Sequence, residues 1–195
     1  MLRQLDVCEV TRFAASVGIT KADGTPLDPE PSLALGANPV PPLSMANVYA
    51  TFASGGKYCK PIAIESVLDA SGTSMAVPSA DCTQAMDQNV ADQTAITLQA
   101  TSEPGGTAKD AGIGRAIAGK TGTTDEAENA WFVGFTPQLS TAVWIGDAKE
   151  SNKSLAGRTI GGKYFERMYG SDLAVPMWRD YMSQALANEP AVQIP

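Results

Sequence analysis

The sequence predicts an α/β domain of the α+β kind, an antiparallel sheet flanked by helices. Three observations predict it. Helical periodicity recurs in the first half and again near the C-terminus, three strand-like segments follow one another between residues 115 and 146, and a short turn with Pro137-Gln138 lies between the last two. Helices first, adjacent strands next and a helix last describe an antiparallel sheet with helices packed on it.

The elements follow in order. Asp6 to Val17 reads as a short amphipathic helix with Val7, Val10, Ala14 and Val17 on one side, stopped by Gly18. Residues 20–42 are rich in Pro, Gly, Asp and Asn and read as an extended loop. A second helix starts near Leu43. Its Met45, Val48, Tyr49 and Phe52 share one face, and Gly55-Gly56 ends it. Pro61 to Asp69 is strand-like and leads into the turn signal Asp69-Ala70-Ser71-Gly72. Gln88 to Thr101 reads as a third helix with Ala91, Ala95 and Leu98 on one side, broken by Glu103-Pro104-Gly105-Gly106. The strands are Arg115–Thr123, Ala130–Thr136 and Ser140–Gly146, the last two joined by a tight hairpin. Asp172 to Ala187 closes the chain as a helix with Leu173, Trp178, Tyr181, Met182 and Leu186 apolar. Its Pro176 lies near the first turn, where proline is tolerated.

Composition narrows the chemistry. The 195 residues suit one domain or most of a larger one, and 44% hydrophobic residues are enough for a packed core. A net charge of −7, from 14 basic and 21 acidic residues, argues against nucleic acid or an anionic membrane as partner. Histidine is absent, which removes Ser-His-Asp and Cys-His catalysis and His-ligated metal sites. No CxxC pattern occurs, which argues against zinc and thioredoxin-type chemistry; no metal or other cofactor is expected. Cys59 and Cys82 flank the strand-like segment and are either a disulfide or two buried thiols; their spacing does not decide, and Cys8 stands apart. No apolar run is long enough to span a bilayer, and the first residues lack the apolar stretch of a signal peptide.

One stretch carries specific chemistry: Gly119-Lys120-Thr121-Gly122-Thr123-Thr124, with Asn129-Ala130-Trp131-Phe132-Val133-Gly134 close behind. A ligand ending in a carboxylate needs a cation and hydroxyl donors, which Lys120, Thr121 and Thr123 supply. Gly122 lets a ligand backbone approach the strand. Alone, the four residues Lys120 to Thr123 also fit a solvated strand end. Their context resembles the transpeptidase domain of class A penicillin-binding proteins. The resemblance runs through Ile117–Asp125, Ala130–Pro137 and Thr141–Gly146, and extends to Pro42–Gly56, Tyr58–Ile64 and Ala174–Trp178. It covers about residues 33 to 187, most of the chain.

The resemblance implies a β-lactamase/transpeptidase-like fold, a cell-envelope setting and D,D-transpeptidation. In that reaction a serine attacks the penultimate D-Ala of a peptidoglycan stem peptide, and the acyl group passes to an amine of a neighbouring stem. It implies β-lactams as ligands that trap the serine. It also implies roles: Lys120 and Thr123 catalytic, Lys120, Thr121, Gly122 and Thr123 in substrate binding, and the Thr123 N–H as an oxyanion donor.

The chain departs from the family pattern in two places. The nucleophile motif Ser-x-x-Lys occurs once, as Ser54-Gly55-Gly56-Lys57, at a glycine-rich helix end that cannot hold serine and lysine on one helical turn. No serine has asparagine two residues on, so Ser-x-Asn is absent. On this reading residues 1–195 are the C-terminal portion of a transpeptidase domain, incomplete on its N-terminal side and inactive alone. The missing half of the domain is then a partner that covers apolar helix faces, and the free chain is expected to be marginally stable.

Three other readings compete. A serine β-lactamase-like hydrolase would share the strand, with Asp125, Glu126 and Glu128 in the following turn as tempting bases; a solvated acidic turn explains them as well. A non-catalytic module that docks a peptide carboxylate or a partner is the second. The third is nucleotide binding: Gly114 to Thr121 satisfies the P-loop pattern, yet no apolar strand precedes it and Thr121 to Thr124 are poor helix formers. Trp131, Trp144 and Trp178 are expected in the core rather than in a site.

Overall fold

The structure is a computed structural model that describes residues 5–150 and 152–195. Helix α1 (Val7–Ser16) is capped by Asp6, whose carboxylate accepts the Cys8 N–H at 2.8 Å. Gly18, at φ +81°, turns the chain away. Helix α2 (Pro42–Ala53) opens with proline at its first position, where a missing N–H costs nothing. It ends in a Schellman motif: Gly56 N–H donates to Thr51 O at 2.8 Å and Gly55 N–H to Phe52 O at 3.2 Å. Both glycines have positive φ, so the glycine pair at the helix end is a geometric requirement.

Between α2 and α3 (Gln88–Gln99) an arm projects. Strand β1 (Lys57–Tyr58) pairs with β4 (Thr83–Gln84), and β2 (Val67–Leu68) pairs with β3 (Ser74–Met75) around the Asp69 turn. The strand expected over Pro61–Asp69 is therefore only its last third. Residues 61–66 make no ladder; Pro61 has no N–H to give, and Ile62 and Ile64 face solvent. Cys59 and Cys82 are joined as a disulfide at the base of the arm, and Cys8 is free and exposed. Asp87 caps α3 by accepting the Asn89 N–H at 2.8 Å.

Strands β5 (Ala118–Thr123), β6 (Ala130–Phe135) and β7 (Ser140–Ile145) form an antiparallel sheet in that order, so β5 lies at an edge. The β6–β7 hairpin turns at Pro137-Gln138 as expected, with Thr136 Oγ1 accepting the N–H groups of Gln138 and Leu139 at 3.3 Å. A further hairpin, β8 (Arg158–Ile160) with β9 (Lys163–Phe165), turns on Gly161-Gly162, both at positive φ. Helix α4 (Ala174–Ala185) follows, two residues shorter at each end than its apolar pattern suggested.

Period-two alternation divides the core. Val133, Phe135 and Ala118 face α2 and α3, joined by Val48, Tyr49, Ala91, Ala95 and, from the C-terminal tail, Ile194. Phe132 faces α4, joined by Val175, Trp178, Met182 and Leu186. Trp178 is fully buried. It meets Phe132 edge-on at 5.2 Å between ring centroids, and its Nε1–H donates to Gly134 O at 3.2 Å. Gly134 is the residue that admits the indole, because a Cβ there would sit 3.0 Å from it. Tyr181, one of the apolar residues of α4, is more than half exposed. No helix among the described residues is long and apolar enough to cross a membrane.

Candidate active-site strand

The four residues singled out by sequence lie together at the outer end of β5. Lys120 pairs with Val133 and Gly122 with Trp131, so these two share the face that carries α2 and α3; Thr121 and Thr123 share the face that carries α4. Gly119 O accepts the Thr101 hydroxyl at 2.7 Å, and Thr121 O accepts Lys120 Nζ at 2.9 Å, so these carbonyls point away from β6. In an antiparallel ladder the N–H and C=O of one residue point to the same side, and alternate residues share that side. The N–H groups of Thr121 and Thr123 therefore face the same open edge.

Lys120 Nζ also approaches Thr121 Oγ1 at 3.4 Å. No carboxylate among the described residues pairs with it. Thr121 Oγ1 donates to Thr107 Oγ1 at 2.8 Å. Thr123 Oγ1 accepts the Gly170 N–H at 3.1 Å, which leaves the Thr123 hydroxyl proton free to donate. Lys120 and Thr123 are exposed, and Gly122 is backed by Trp131, whose Cβ would be 3.2 Å from a Cβ at residue 122. The site is thus an open edge offering one ammonium, one hydroxyl donor on β5 itself and outward N–H groups: a complement for a carboxylate and for a developing oxyanion.

Other expected features resolve as follows. The Ser54 hydroxyl lies against Thr51 O at 3.0 Å and Lys57 O at 2.8 Å, while Lys57 is on β1 rather than one helical turn away. Ser54 and Lys57 do not form a nucleophile–base pair. Residues after Lys120 continue as strand β5, not as a helix, so the P-loop geometry is not present. Asp125 and Glu126 are exposed and Glu128 half-buried in a turn held by Thr124 Oγ1, which accepts the N–H groups of Glu128 and Asn129. Trp178 is core as expected. Trp131 and Trp144 are a half-buried cross-strand pair, and Trp144 Nε1–H donates to Asn129 Oδ1 at 2.8 Å. Among the described residues no cluster of potential metal ligands occurs.

Sequence reasoning missed Thr101, Thr107 and Gly170, which brace the strand from remote segments. Only the Gly105-Gly106 pair before Thr107 hinted at a special turn. Two clefts lie elsewhere. One, of about 320 Å³, is lined by Asp147, Lys153 and Arg158 among others. Two of its charges pair: the Lys153 ammonium, with the N–H groups of Lys149 and Glu150, holds the Asp147 carboxyl at about 2, while Arg158 Nε donates to Ser154 O. The other, of about 580 Å³, runs along α3 past Val90, Gln93, Thr94 and Leu98.

The family model described as the penicillin binding protein transpeptidase domain matches residues 29–169, which include the whole of β5. The chain belongs to the penicillin-binding protein transpeptidase family. Penicillin-binding protein 1A of Aquifex aeolicus is 38% identical over 157 residues, covering 80% of this chain and 20% of its own. That of Neisseria lactamica is 36% identical over 165 residues, covering 82% and 19%. The chain thus spans about a fifth of the length of the curated relatives it matches. Among solved structures, penicillin-binding protein PonA1 from Mycobacterium tuberculosis superposes with a TM-score of 0.76 at 28% identity, covering 96% of this chain and 51% of that one. PonA1 has also been solved in complex with penicillin V. Penicillin-binding protein 1A from Haemophilus influenzae, at 24% identity over 97% of this chain and 32% of that one, shares the fold with a TM-score of 0.76. In this chain the shared fold is a three-stranded sheet with helices on both faces, and Lys120–Thr123 lie on its edge strand.

Proposed function

We propose that this chain is the C-terminal portion of a penicillin-binding D,D-transpeptidase domain and supplies β5 as its ligand-binding edge. A stem peptide ending in D-Ala-D-Ala lies along β5. Lys120 Nζ and the Thr123 hydroxyl hold its terminal carboxylate, and Gly122 leaves room for its backbone. The Thr123 N–H stabilises the oxyanion when a serine, brought by sequence outside this chain, attacks the penultimate carbonyl. The terminal D-Ala leaves, and the acyl group passes to an amine of a second stem in the cell envelope. β-Lactams are the second ligand class of this edge; a relative, PonA1, has been solved in complex with penicillin V.

The observation that carries this reading is that Lys120 Nζ, bonded to the edge carbonyl of Thr121, the free Thr123 hydroxyl proton and the outward Thr123 N–H all belong to the same short stretch of one edge strand. Exposed Leu43 on α2, Val90 and Ile96 on α3, and Met177 and Tyr181 on α4 supply apolar surface for the complementary half of the domain. The free chain binds but does not turn over. The test is a titration with a D-Ala-D-Ala-terminated peptide, followed through the amide resonances of residues 119–124. The acid moves them and its C-terminal amide does not; equal responses to acid and amide would refute carboxylate recognition.

A further inference from the structure

We infer that Thr107, outside the Lys-Thr-Gly-Thr motif, is a further binding residue of this edge and that Thr121 acts as its relay. The inference rests on the carboxylate site proposed above.

Each hydroxyl has one proton. Thr121 Oγ1 receives a hydrogen bond from Lys120 Nζ at 3.4 Å and spends its own proton on Thr107 Oγ1 at 2.8 Å. Thr107 has no acceptor among the described residues, so its proton is the one left over, and its side chain is exposed beside Thr121 of the edge strand. The bonds run in one direction, from ammonium to Thr121 to Thr107. A hydroxyl that accepts from a cation is a better donor, and that polarisation passes to the next hydroxyl. The end of such a chain is where an anion binds best. Thr121 is therefore not itself the donor to the ligand; it conveys the charge of Lys120 to Thr107.

The position of Thr107 is fixed before any ligand arrives. Ala108 N–H donates to Thr101 O at 2.8 Å, and the Thr101 hydroxyl donates to Gly119 O of β5 at 2.7 Å. Gly106 presses on the same carbonyl, since a Cβ there would lie 2.1 Å from Thr101 O. Ala108 and Ala111 are buried beneath α4. The turn is thus docked on the strand it serves, and the Thr107 hydroxyl is held without loss of side-chain freedom on binding.

The experiment titrates the 195-residue chain and its Thr107→Val, Thr107→Ala, Thr107→Ser and Thr121→Val variants with the D-Ala-D-Ala peptide and with its amide. Removing the hydroxyl in Thr107→Val or Thr107→Ala weakens the acid by about tenfold, the usual cost of a hydrogen bond to a charged group. Thr107→Ser keeps the wild-type value, and the response to the amide is unchanged. Thr121→Val weakens the acid comparably, and the Thr107→Val/Thr121→Val pair is no worse than either alone, because one relay has been cut twice. The inference is overturned if the valine and alanine variants bind the acid like the wild type, or if the serine variant loses as much as they do. A wild-type chain without acid-specific shifts at 119–124 would overturn the carboxylate site itself and this inference with it.

Discussion

Thr123 Oγ1 accepts the backbone N–H of Gly170 at 3.1 Å, which ties the end of β5 to the loop that leads into α4. The bond spends an acceptor lone pair and leaves the hydroxyl proton aimed elsewhere. Gly170 has no room for a side chain: a Cβ would lie 2.2 Å from Trp131 O and 2.9 Å from Gly122 O. Gly170→Ala therefore forces the loop off the sheet and costs about 2–3 kcal/mol, in the range of overpacked sites. Urea unfolding measures the cost, and the Thr123 amide resonance should move with it. A variant as stable as the wild type would show that the loop has slack there.

Trp178 holds α4 to the sheet. Its indole is fully buried against Phe132 and donates to Gly134 O. Trp178→Ala leaves a cavity and an unpaired carbonyl, and should cost about 3–5 kcal/mol, as large aromatic truncations do. Trp178→Phe should recover most of the packing while still losing the hydrogen bond, at about 1–3 kcal/mol. Calorimetric melting of the two variants separates the terms.

Tyr49 gives the protein a stability limit in alkali. Burial among Phe52, Phe135 and Val48 pushes its phenol up to about 12. The folded pKa is raised above the unfolded value near 10, so the neutral phenol contributes its full stability below about pH 10. That contribution falls as pH rises from about 10 and is gone above about 12, by about 2–3 kcal/mol in all. Tyr49→Phe keeps the packing and cannot ionise. The variant and wild type should match at pH 7, and the variant should be the more stable above pH 10. Parallel stability curves across that range would contradict a buried phenol.

The Cys59–Cys82 disulfide, at a sequence separation of 23, constrains the unfolded arm. Reducing it should cost the arm about 3 kcal/mol by loop-closure entropy. The loss should be local, because the bonds at the arm's base run within the arm and to α2 and its end: the β1–β4 pair, the Lys60–Asp81 ion pair, the Lys60 N–H to Ala80 O bond, and the Asn47–Cys59, Ser54–Lys57 and Gln84–Gly55 hydrogen bonds. Hydrogen exchange should accelerate across residues 57–84 on reduction and stay unchanged in β5–β7.

The parts of this fold legible in the sequence are those whose partners are near in sequence or whose pattern has one period. Strands β5 to β7 and the Met45/Val48/Tyr49/Phe52 face of α2 are of this kind, and Gly55-Gly56 announced its helix end by chemistry alone. The arm was misread because Ile62 and Ile64 mimic a strand while facing solvent. The β8–β9 hairpin was missed although Gly161-Gly162 is a strong turn signal, because its strands are three residues long and show little alternation. Lys120 to Thr123 were legible as a motif. Their braces at Thr101, Thr107 and Gly170 were not, since a hydrogen bond between residues 14, 18 or 47 positions apart leaves no mark on local pattern.

Intact-mass spectrometry after incubation of the 195-residue chain with benzylpenicillin tests the central claim most directly: this chain carries a binding edge and no nucleophile. The mass should remain that of the unmodified chain, since the Ser54 hydroxyl is turned onto the carbonyls of Thr51 and Lys57. A stoichiometric acyl adduct that maps to Ser54 would contradict it, and would make Ser54-Gly55-Gly56-Lys57 a working nucleophile motif.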